Sequence, residues 1–386
     1  MQRRTFLKQA VATGAGLGLG ASSRAWAAEA GPVVIDHPIH GAVLNRRHGT
    51  PVEGGLKIRV SGTAPAGSPV TVNGESAGRD GERFAADMVL RDPVVEVVAA
   101  SGGHRQSIRV RWDRRSFPRY RFSIDDNSFF LRDVAQKKYK SLFDCFYLAM
   151  LRDLSRKYGT KFVLNVYFTT ADGFDLTQFP DRYKGEWGDN AEWLSLSFHA
   201  RANDPPRPYQ DAPPERLIAD WDKVAAEIRR FAGEATYSVP TVIHFAMVRP
   251  EALKPLASRG VRVLSGLFRR QGDGWDINYR LDNEHSEYLS KHDAWHDFNS
   301  GITFSMIDLV ANNTPVDQVA PTLGPLAEDP NKAEIMDLFT HEQYFWPFYS
   351  RYLPDHPQRV ETALRWVTEH GYKPVFFHEG FLGAPD

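Results

Sequence analysis

Two adjacent carboxylates at the end of an apolar run are the first feature of this sequence that suggests chemistry. The segment YRFSIDDNSFF (120–130) reads as a buried strand and then places Asp125 and Asp126 side by side. Two like charges that lose water together repel each other, so a compensating positive charge is expected beside them. A divalent cation would supply that charge. The aspartates could instead cap the helix that follows, because Asp accepts hydrogen bonds from free N–H groups at a helix start.

Histidines stand at or near the ends of three other strand-like runs. These are His199 in WLSLSFH, His244 in PTVIHF and His341 in AEIMDLFTH. Imidazoles and carboxylates bind zinc and similar cations, and a site with open positions can polarise a carbonyl and activate water. We therefore predict that one of the two aspartates and two of these histidines bind a divalent metal, with zinc as the expected ion. For each imidazole, a satisfied core histidine is the alternative.

The elements that must position these side chains form a repeating pattern from residue 116 to residue 386. Apolar runs alternate with amphipathic helical stretches, which is typical of β/α units around a parallel sheet. The predicted strands are 120–124, 161–168, 193–199, 240–245, 261–266, 333–341 and 372–377. Right-handed crossovers then favour an α/β fold, a distorted (β/α) barrel of six to eight strands. In such a barrel the strand ends share one face, so the aspartates and histidines should converge.

Residues 31–115 have a different pattern. Short β-branched runs such as LKIRVSG, VVEVVAA and QSIRVRW are separated by turn-rich segments, which predicts an all-β sandwich. The pattern resembles an immunoglobulin-like module, so the chain is predicted to be multidomain. His37, His40 and His48 lie here, and we interpret them as loop histidines, with metal binding as the alternative.

The first 28 residues predict an export signal. Arg3 and Arg4 precede Phe-Leu-Lys, a short Gly/Ala-rich stretch follows, and Ala25-x-Ala27 suits signal peptidase. This segment resembles a twin-arginine signal peptide, which implies a periplasmic or extracellular location. Its apolar stretch is too short and too rich in glycine for a stable membrane span.

Composition limits the classes of function. The chain has 386 residues, 42% of them hydrophobic, and its nine Trp and 24 Phe predict well-filled cores. A formal net charge of −1 argues against a nucleic-acid surface, which is normally basic. The single cysteine, Cys145, allows no disulfide within the chain, and its apolar surroundings predict a buried structural thiol.

Residues 120–380 resemble a divergent polysaccharide deacetylase, on three quoted motifs. FSIDDN is similar to that family's first motif, LSFHA to the second, and DLFTHEQYF with HGYKPVFF to the C-terminal segment. The resemblance implies Asp125 as the general base, Asp126 and His199 as metal ligands, and His341 as the catalytic acid. It also implies a polysaccharide substrate.

The sequence departs from this pattern in two places. Asn203 stands where the family has a second metal-binding histidine, so the third ligand is left to His244 or to Asp204. The family's Arg-x-Pro motif is represented only by RPEALKP. Arg249 is therefore predicted either to orient the base or simply to begin a helix.

Several other residues are candidates for secondary roles. Trp187, Trp193 and Trp275 are predicted to line a sugar-binding cleft. His292 and His296 are four residues apart. On a helix this spacing would place both imidazoles on one face, as in zinc-binding helices. The alternative is a charged helix that is exposed to solvent. His378 also ends a predicted strand.

Together these residues predict an exported, metal-dependent carbohydrate deacetylase acting on an amide or ester. One alternative is a metal-independent glycoside hydrolase that works through two carboxylates, such as Asp125 and Glu342. Another is a protein that binds carbohydrate without catalysis.

Overall fold

A computed structural model describes residues 33–386 of the chain. The predicted export signal, residues 1–28, lies outside these described residues. No helix in the described part is both long enough and apolar enough to cross a membrane.

The N-terminal region consists of two β-sheets that share one hydrophobic core. Its strands are β1 (Val34–His37), β2 (Val43–Leu44), β3 (Thr50–Val52), β4 (Gly55–Thr63), β5 (Val70–Val72), β6 (Glu75–Ser76), β7 (Gly78–Asp80), β8 (Arg83–Leu90), β9 (Val94–Ser101) and β10 (His104–Trp112). One sheet has the order β1-β4-β8-β7 with β3 added to β4, and the other has the order β2-β10-β9-β5-β6. Alternate residues of β4, including Ile58 and Val60, meet Val97 and Val110 of the opposite sheet.

The remainder of the described chain alternates strands and helices. The strands are β11 (Arg119–Asn127), β12 (Phe162–Tyr167), β13 (Leu194–Ala200), β14 (Tyr237–Ser238), β15 (Val263–Gly266), β16 (Arg269–Gln271), β17 (Gly274–Asp276), β18 (Ala294–Asp297), β19 (Ile302–Met306), β20 (Leu309–Val310), β21 (Ile335–His341) and β22 (Lys373–Pro374). The helices are α1 (Phe129–Lys137), α2 (Phe146–Tyr158), α3 (Lys184–Asp189), α4 (Pro214–Phe231), α5 (Leu253–Ser258), α6 (Asn283–Lys291), α7 (Val319–Glu328) and α8 (His356–Glu369).

These strands form a distorted and nearly closed barrel. The main sheet has the order β14-β13-β12-β11-β21-β20, and its pairs are parallel. The chain runs from β19, which pairs with β15, directly into β20, which pairs with β21. Between β14 and β15, the Ser265 N–H donates to the carbonyl of Thr241 at 2.8 Å. The α/β barrel-like architecture expected from the alternation is therefore present.

The alternation of side chains along β11 separates the apolar core from a polar barrel interior. Every residue of this strand is buried. Tyr120, Phe122 and Ile124 belong to the apolar cluster that the helices cover. The intervening Arg121 pairs with Asp337 of β21, and both side chains are buried. Because side chains two apart share a face, the strand carries its polar face up to Asp125.

Three predicted elements differ from the structure. Residues 240–245 do not form a strand, and His244 begins a short 3₁₀ turn (His244–Ala246) in which Phe245 has φ +62°. The predicted last strand, 372–377, is reduced to Lys373–Pro374. His292 follows the end of α6, whereas His296 lies in β18, so the two imidazoles do not share a helix face.

Candidate metal centre

Three side chains from separate elements meet at the carboxyl end of the barrel strands. Asp126 lies near the end of β11, His199 near the end of β13, and His244 in the turn after β14. Asp126 Oδ1 is 3.1 Å from His199 Nε2 and 3.5 Å from His244 Nδ1. The two imidazole nitrogens are 3.0 Å apart. All three residues are buried.

The donor set fits a small divalent cation. Ligand bonds of 2.0–2.1 Å in a tetrahedral zinc site imply ligand atoms about 3.3 Å apart, close to the observed triangle of 3.0, 3.1 and 3.5 Å. One carboxylate and two imidazoles are also the set that leaves a position open for water or substrate. Among residues 33–386, this is the one group of three or more His, Cys, Asp or Glu side chains close enough to hold a metal.

The charges at the centre suit a cation. Burial raises the pKa of Asp126, but the hydrogen bond from His199 and the nearby His341 outweigh it and hold that pKa well below its usual range. Burial lowers the pKa of His199, but Asp125 and Asp126 outweigh it, so the pKa of His199 is raised. Burial and the neighbouring His199 lower the pKa of His244 to about 3. The centre thus contains an ionised carboxylate, Asp126, and at least one neutral imidazole, His244, with a nitrogen lone pair that can bind a cation.

Asp126 is held in place from several directions. Its backbone has φ +63°, in the left-handed region that a non-glycine residue seldom adopts. Gln343 Nε2 donates to Asp126 Oδ2 at 2.8 Å, and the hydroxyl of Tyr167 donates to Oδ1. Hydrogen bonds of this kind orient a metal-binding carboxylate before the metal arrives. A strained residue that its neighbours hold this firmly is typical of a functional site.

Asp125 is not one of the three residues of the metal triangle, so its carboxylate is available for a separate role. Its Oδ1 accepts a hydrogen bond of 2.7 Å from Asn165 Nδ2 of β12, and the carboxylate is buried. A carboxylate fixed by one neutral donor next to a metal centre keeps an oxygen lone pair available to accept a proton.

The helix that follows β11 is capped by Glu342 and not by the aspartates. The carboxylate of Glu342 accepts from the backbone N–H groups of Ser128, Phe129 and Phe130 at 2.6–2.8 Å, which are the first free donors of α1. Glu342 is completely buried, and burial raises its pKa to about 7 against these hydrogen bonds. The capping role considered for Asp125 and Asp126 is therefore filled by another residue.

His341 ends β21 directly beside Asp125, its partner in the parallel register of β11 and β21. Its Nδ1 lies 2.9 Å from Oδ1 of Asn312, an acceptor that fixes Nδ1 as the protonated nitrogen. Asn312 is in turn fixed by the Thr340 hydroxyl at 3.2 Å, and Thr340 contacts His356 Nε2 at 3.0 Å. This arrangement leaves Nε2 of His341 for a substrate.

Two of the tryptophans predicted to bind substrate lie away from the metal centre. Trp187 is completely buried in the barrel core, where its ring packs near Phe130 and Phe231, so it cannot stack on a sugar. Trp193 precedes β13, about 20 Å along the strand from His199 and at the opposite end of the barrel.

Arg249 and Trp275 are both partly exposed. Arg249 precedes a 3₁₀ turn (Pro250–Ala252) and pairs with Glu251 at 3.2 Å, so it begins a turn instead of orienting the base. The side chain that hydrogen-bonds Asp125 is Asn165. Trp275 lies in the β16–β17 hairpin, which follows the carboxyl end of β15 and so emerges on the same side as Asp126.

The other candidate ligands lie away from the centre. Asp204 is exposed in the loop after β13 and is not among the three clustered residues. His292 stacks on Tyr288 with ring centroids 3.7 Å apart, and His296 Nδ1 contacts the Thr303 hydroxyl at 2.9 Å. His378 is near Lys161, at the amino end of β12 and therefore at the opposite end of the barrel.

Four residues of the site were not among the predicted ones: Asn165, Tyr167, Asn312 and Gln343. Asn165 and Tyr167 lie in the second half of β12. Reactive side chains are expected at the carboxyl ends of barrel strands, so the same argument that identified Asp126 and His199 also applies to them. Asn312 and Gln343 lie in short 3₁₀ turns, and their hydrogen bonds are to residues distant in the sequence. Nothing in the local pattern identifies those two.

Comparison with known proteins finds similarity only at the level of structure. No protein-family model matches the chain, and no curated protein matches it. Among solved structures it is similar to a CE4 esterase from Streptococcus mutans, with 10% identity, a TM-score of 0.36, and coverage of 67% of this chain and 84% of that chain. It is similar to BA3943, a CE4 family pseudoenzyme from Bacillus anthracis, with 9% identity, a TM-score of 0.33, and coverage of 67% and 64%.

A third match is the 4-alpha-glucanotransferase from Thermococcus litoralis, with 13% identity, a TM-score of 0.43, and coverage of 68% of this chain and 39% of that chain. Two of these three solved structures are named as CE4 proteins. At these TM-scores, the matches carry no argument about the activity of this chain.

Proposed function

We propose that this protein is a metal-dependent hydrolase that removes acyl groups, acetyl above all, from a polysaccharide. The observation that carries the proposal is the buried Asp126–His199–His244 triangle with Asp125 and His341 beside it on paired strands. The motifs FSIDDN, LSFHA and DLFTHEQYF support the same reaction, because Asp125 and Asp126, His199 and His341 stand in them at positions that resemble those of the polysaccharide deacetylases.

The metal site would be held by Asp126, His199 and His244, and we propose zinc as the ion. A divalent cation bound there supplies a Lewis acid for the acyl carbonyl and lowers the pKa of a bound water. Gln343 keeps Asp126 oriented through its second oxygen, at 2.8 Å.

Asp125 acts as the general base in this proposal. It removes a proton from the attacking water as the new carbon–oxygen bond forms. Asn165 fixes one oxygen of Asp125 at 2.7 Å, so the other oxygen faces the reacting water in a single orientation.

His341 acts as the general acid. With Nδ1 fixed as a donor to Asn312 at 2.9 Å, the imidazolium form presents its Nε2–H to the leaving group. The carbon–nitrogen or carbon–oxygen bond breaks as this proton moves to the departing amine or alcohol. The register pairing of Asp125 and His341 keeps base and acid on the same face of the sheet.

The alternative of a metal-independent glycoside hydrolase has less support. It requires two free carboxylates, and Asp125 with Glu342 was the pair considered. Glu342 has both oxygens engaged, with three backbone N–H groups of α1 and with the indole N–H of Trp346. A carboxylate in that position stabilises a helix start and cannot also protonate a glycosidic oxygen.

We further propose that residues 31–115 form an immunoglobulin-like module. The sheet orders support this, because β1-β4-β8-β7 corresponds to strands A, B, E and D. In the second sheet β10-β9-β5 corresponds to G, F and C, with β2 and β6 added at the two edges. The Arg3–Arg4 pair supports export by the twin-arginine route. Loss of export on changing both arginines to lysine would test that part.

Acetate release from a panel of acetylated polysaccharides tests the proposed function. The expected result is release by the wild-type protein, loss on treatment with a chelator, and recovery on adding zinc. Release that is unaffected by chelator would favour a metal-independent reaction. Tight binding to a polysaccharide without release of acetate would instead favour the carbohydrate-binding alternative.

A further inference from the structure

The hydroxyl of Tyr167 contacts two corners of the metal triangle. Tyr167 is the last residue of β12, between the strands that carry Asp126 and His199, and it is 2% exposed. The hydroxyl donates to Asp126 Oδ1 and is 3.2 Å from Nδ1 of His244. Those are two of the three atoms that define the candidate metal site.

The Tyr167 hydroxyl has one proton and three polar neighbours. The same hydroxyl is also 3.2 Å from Oδ1 of Asn203, so one proton faces the oxygens of Asp126 and Asn203 and the ring nitrogen of His244. It can serve one of these acceptors at a time. The ring cannot move away easily, because it packs against the imidazoles of His199 and His244, with centroids 5.4 and 5.3 Å apart.

We propose that the oxygen of Tyr167 is a fourth protein donor to this centre. When a cation binds, the phenol O–H bond breaks, the proton leaves to solvent, and the oxygen lone pair bonds to the cation. Asn203 stands where the polysaccharide deacetylases have a second metal-binding histidine. In this arrangement Asn203 contacts Tyr167 and not the metal. The inference rests on the metal centre of the proposed function, and does not require the hydrolytic reaction.

A fourth donor changes what the centre can do. Three protein ligands leave the fourth position of a zinc site for water, whereas four leave water only as a fifth ligand. The metal would be held more tightly and would accept substrate less readily. Such a centre could be occupied by metal in a protein that turns over slowly or not at all.

Loading the full-length protein with Fe(III) tests the ligation directly, because a phenolate bound to Fe(III) absorbs visible light by charge transfer. The expected result is a coloured wild-type complex and a colourless Tyr167→Phe complex of equal metal content. Competition with a chelating dye should show Zn²⁺ binding at least about 10-fold weaker in Tyr167→Phe. Tyr209→Phe, which removes another buried hydroxyl, should behave like the wild type in both assays.

Three results would overturn the inference. A colourless wild-type Fe(III) complex would show that no tyrosine binds the metal, whether or not the variant folds. Equal colour and equal Zn²⁺ affinity in the wild type and Tyr167→Phe would reduce Tyr167 to a hydrogen-bond donor and leave the proposed function intact. Failure of the wild type to bind any divalent cation would overturn the inference and the proposed function together.

Discussion

His199 Nε2 lies 3.1 Å from Asp126 Oδ1, although β12 separates the two strands that carry them. The contact is possible because both residues stand at the carboxyl ends of parallel strands, where side chains reach across the barrel opening. The centre therefore depends on the order of strands in the sheet and not on a local sequence motif. A change that disturbs the order β13-β12-β11 would separate the two ligands.

Replacing Asp125 with Asn should abolish turnover and leave metal binding unchanged. The amide cannot accept the proton of water, and loss of a general base costs about 10²- to 10⁴-fold in kcat. Acetate release and metal content should be measured on the same sample. Asn165→Ala is the milder companion, since it frees the base without removing it. Full activity of Asp125→Asn would exclude this residue as the base.

Replacing Asn312 with Ala should lower kcat by about 10- to 100-fold and leave KM unchanged. The change releases Nδ1 of His341, so the acid loses its orientation but substrate binding does not. Asn312→Asp retains an acceptor at that position and should recover part of the loss. Gln318→Ala, at an exposed position just after this turn, provides the control. A change in KM alone would point to a binding role for this turn.

Replacing Glu342 with Ala should destabilise the barrel by about 3 kcal/mol, because three buried N–H groups of α1 lose their acceptor. Urea unfolding measures the effect, and Glu361→Ala, on the partly exposed face of α8, serves as the control. A stable Glu342→Ala protein that has lost activity would revive the two-carboxylate mechanism.

His356 should make the protein less stable as the pH falls. Burial and the nearby Arg359 lower its pKa to about 3 in the folded protein, whereas an unfolded histidine has a pKa of about 6.5. Between these values the unfolded chain binds a proton that the folded chain does not. The free energy of unfolding should therefore decrease by about 1.4 kcal/mol for each pH unit below 6.5 from this residue alone.

The matching variant is His356→Gln, in which Nε2 can still reach the Thr340 hydroxyl. Urea unfolding at pH 7 and at pH 5 should show a smaller difference for this variant than for the wild type. An equal pH dependence in both proteins would mean that His356 does not contribute to acid sensitivity.

Much of the fold could be predicted from the pattern of apolar and polar residues along the sequence. Leu194–Ala200 and Ile335–His341 are short runs rich in apolar residues. They are buried along nearly their whole length and lie within one or two residues of the predicted ranges. The segment 240–245 has the same composition but is not a strand. Pro240 lacks an N–H, and Phe245 and Ala246 adopt positive φ, which turns the chain.

The site was predictable where a residue ends a strand, and unpredictable where a partner comes from a distant turn. The Asp125–Asp126 pair and His199 were identified by their places at strand ends, and the motif resemblance singled out Asp126 as the ligand. Trp187 was placed beside the substrate because composition cannot distinguish a core aromatic from an exposed one, and the structure buries it between α1 and α4 residues. Glu342 and Asn312 take their roles from contacts that form when strands distant in the sequence pair in the sheet.

The most direct test of the central claim is the metal content of the purified protein after equilibrium dialysis against Zn²⁺, measured by elemental analysis. One zinc per chain is expected for the wild type and for the control variant His285→Ala. His285 lies on α6, where its imidazole pairs with Asp282. Asp126→Ala and His199→Ala should retain essentially none. Wild-type protein without zinc, or Asp126→Ala with the wild-type amount, would contradict the claim that these strand ends hold a divalent cation.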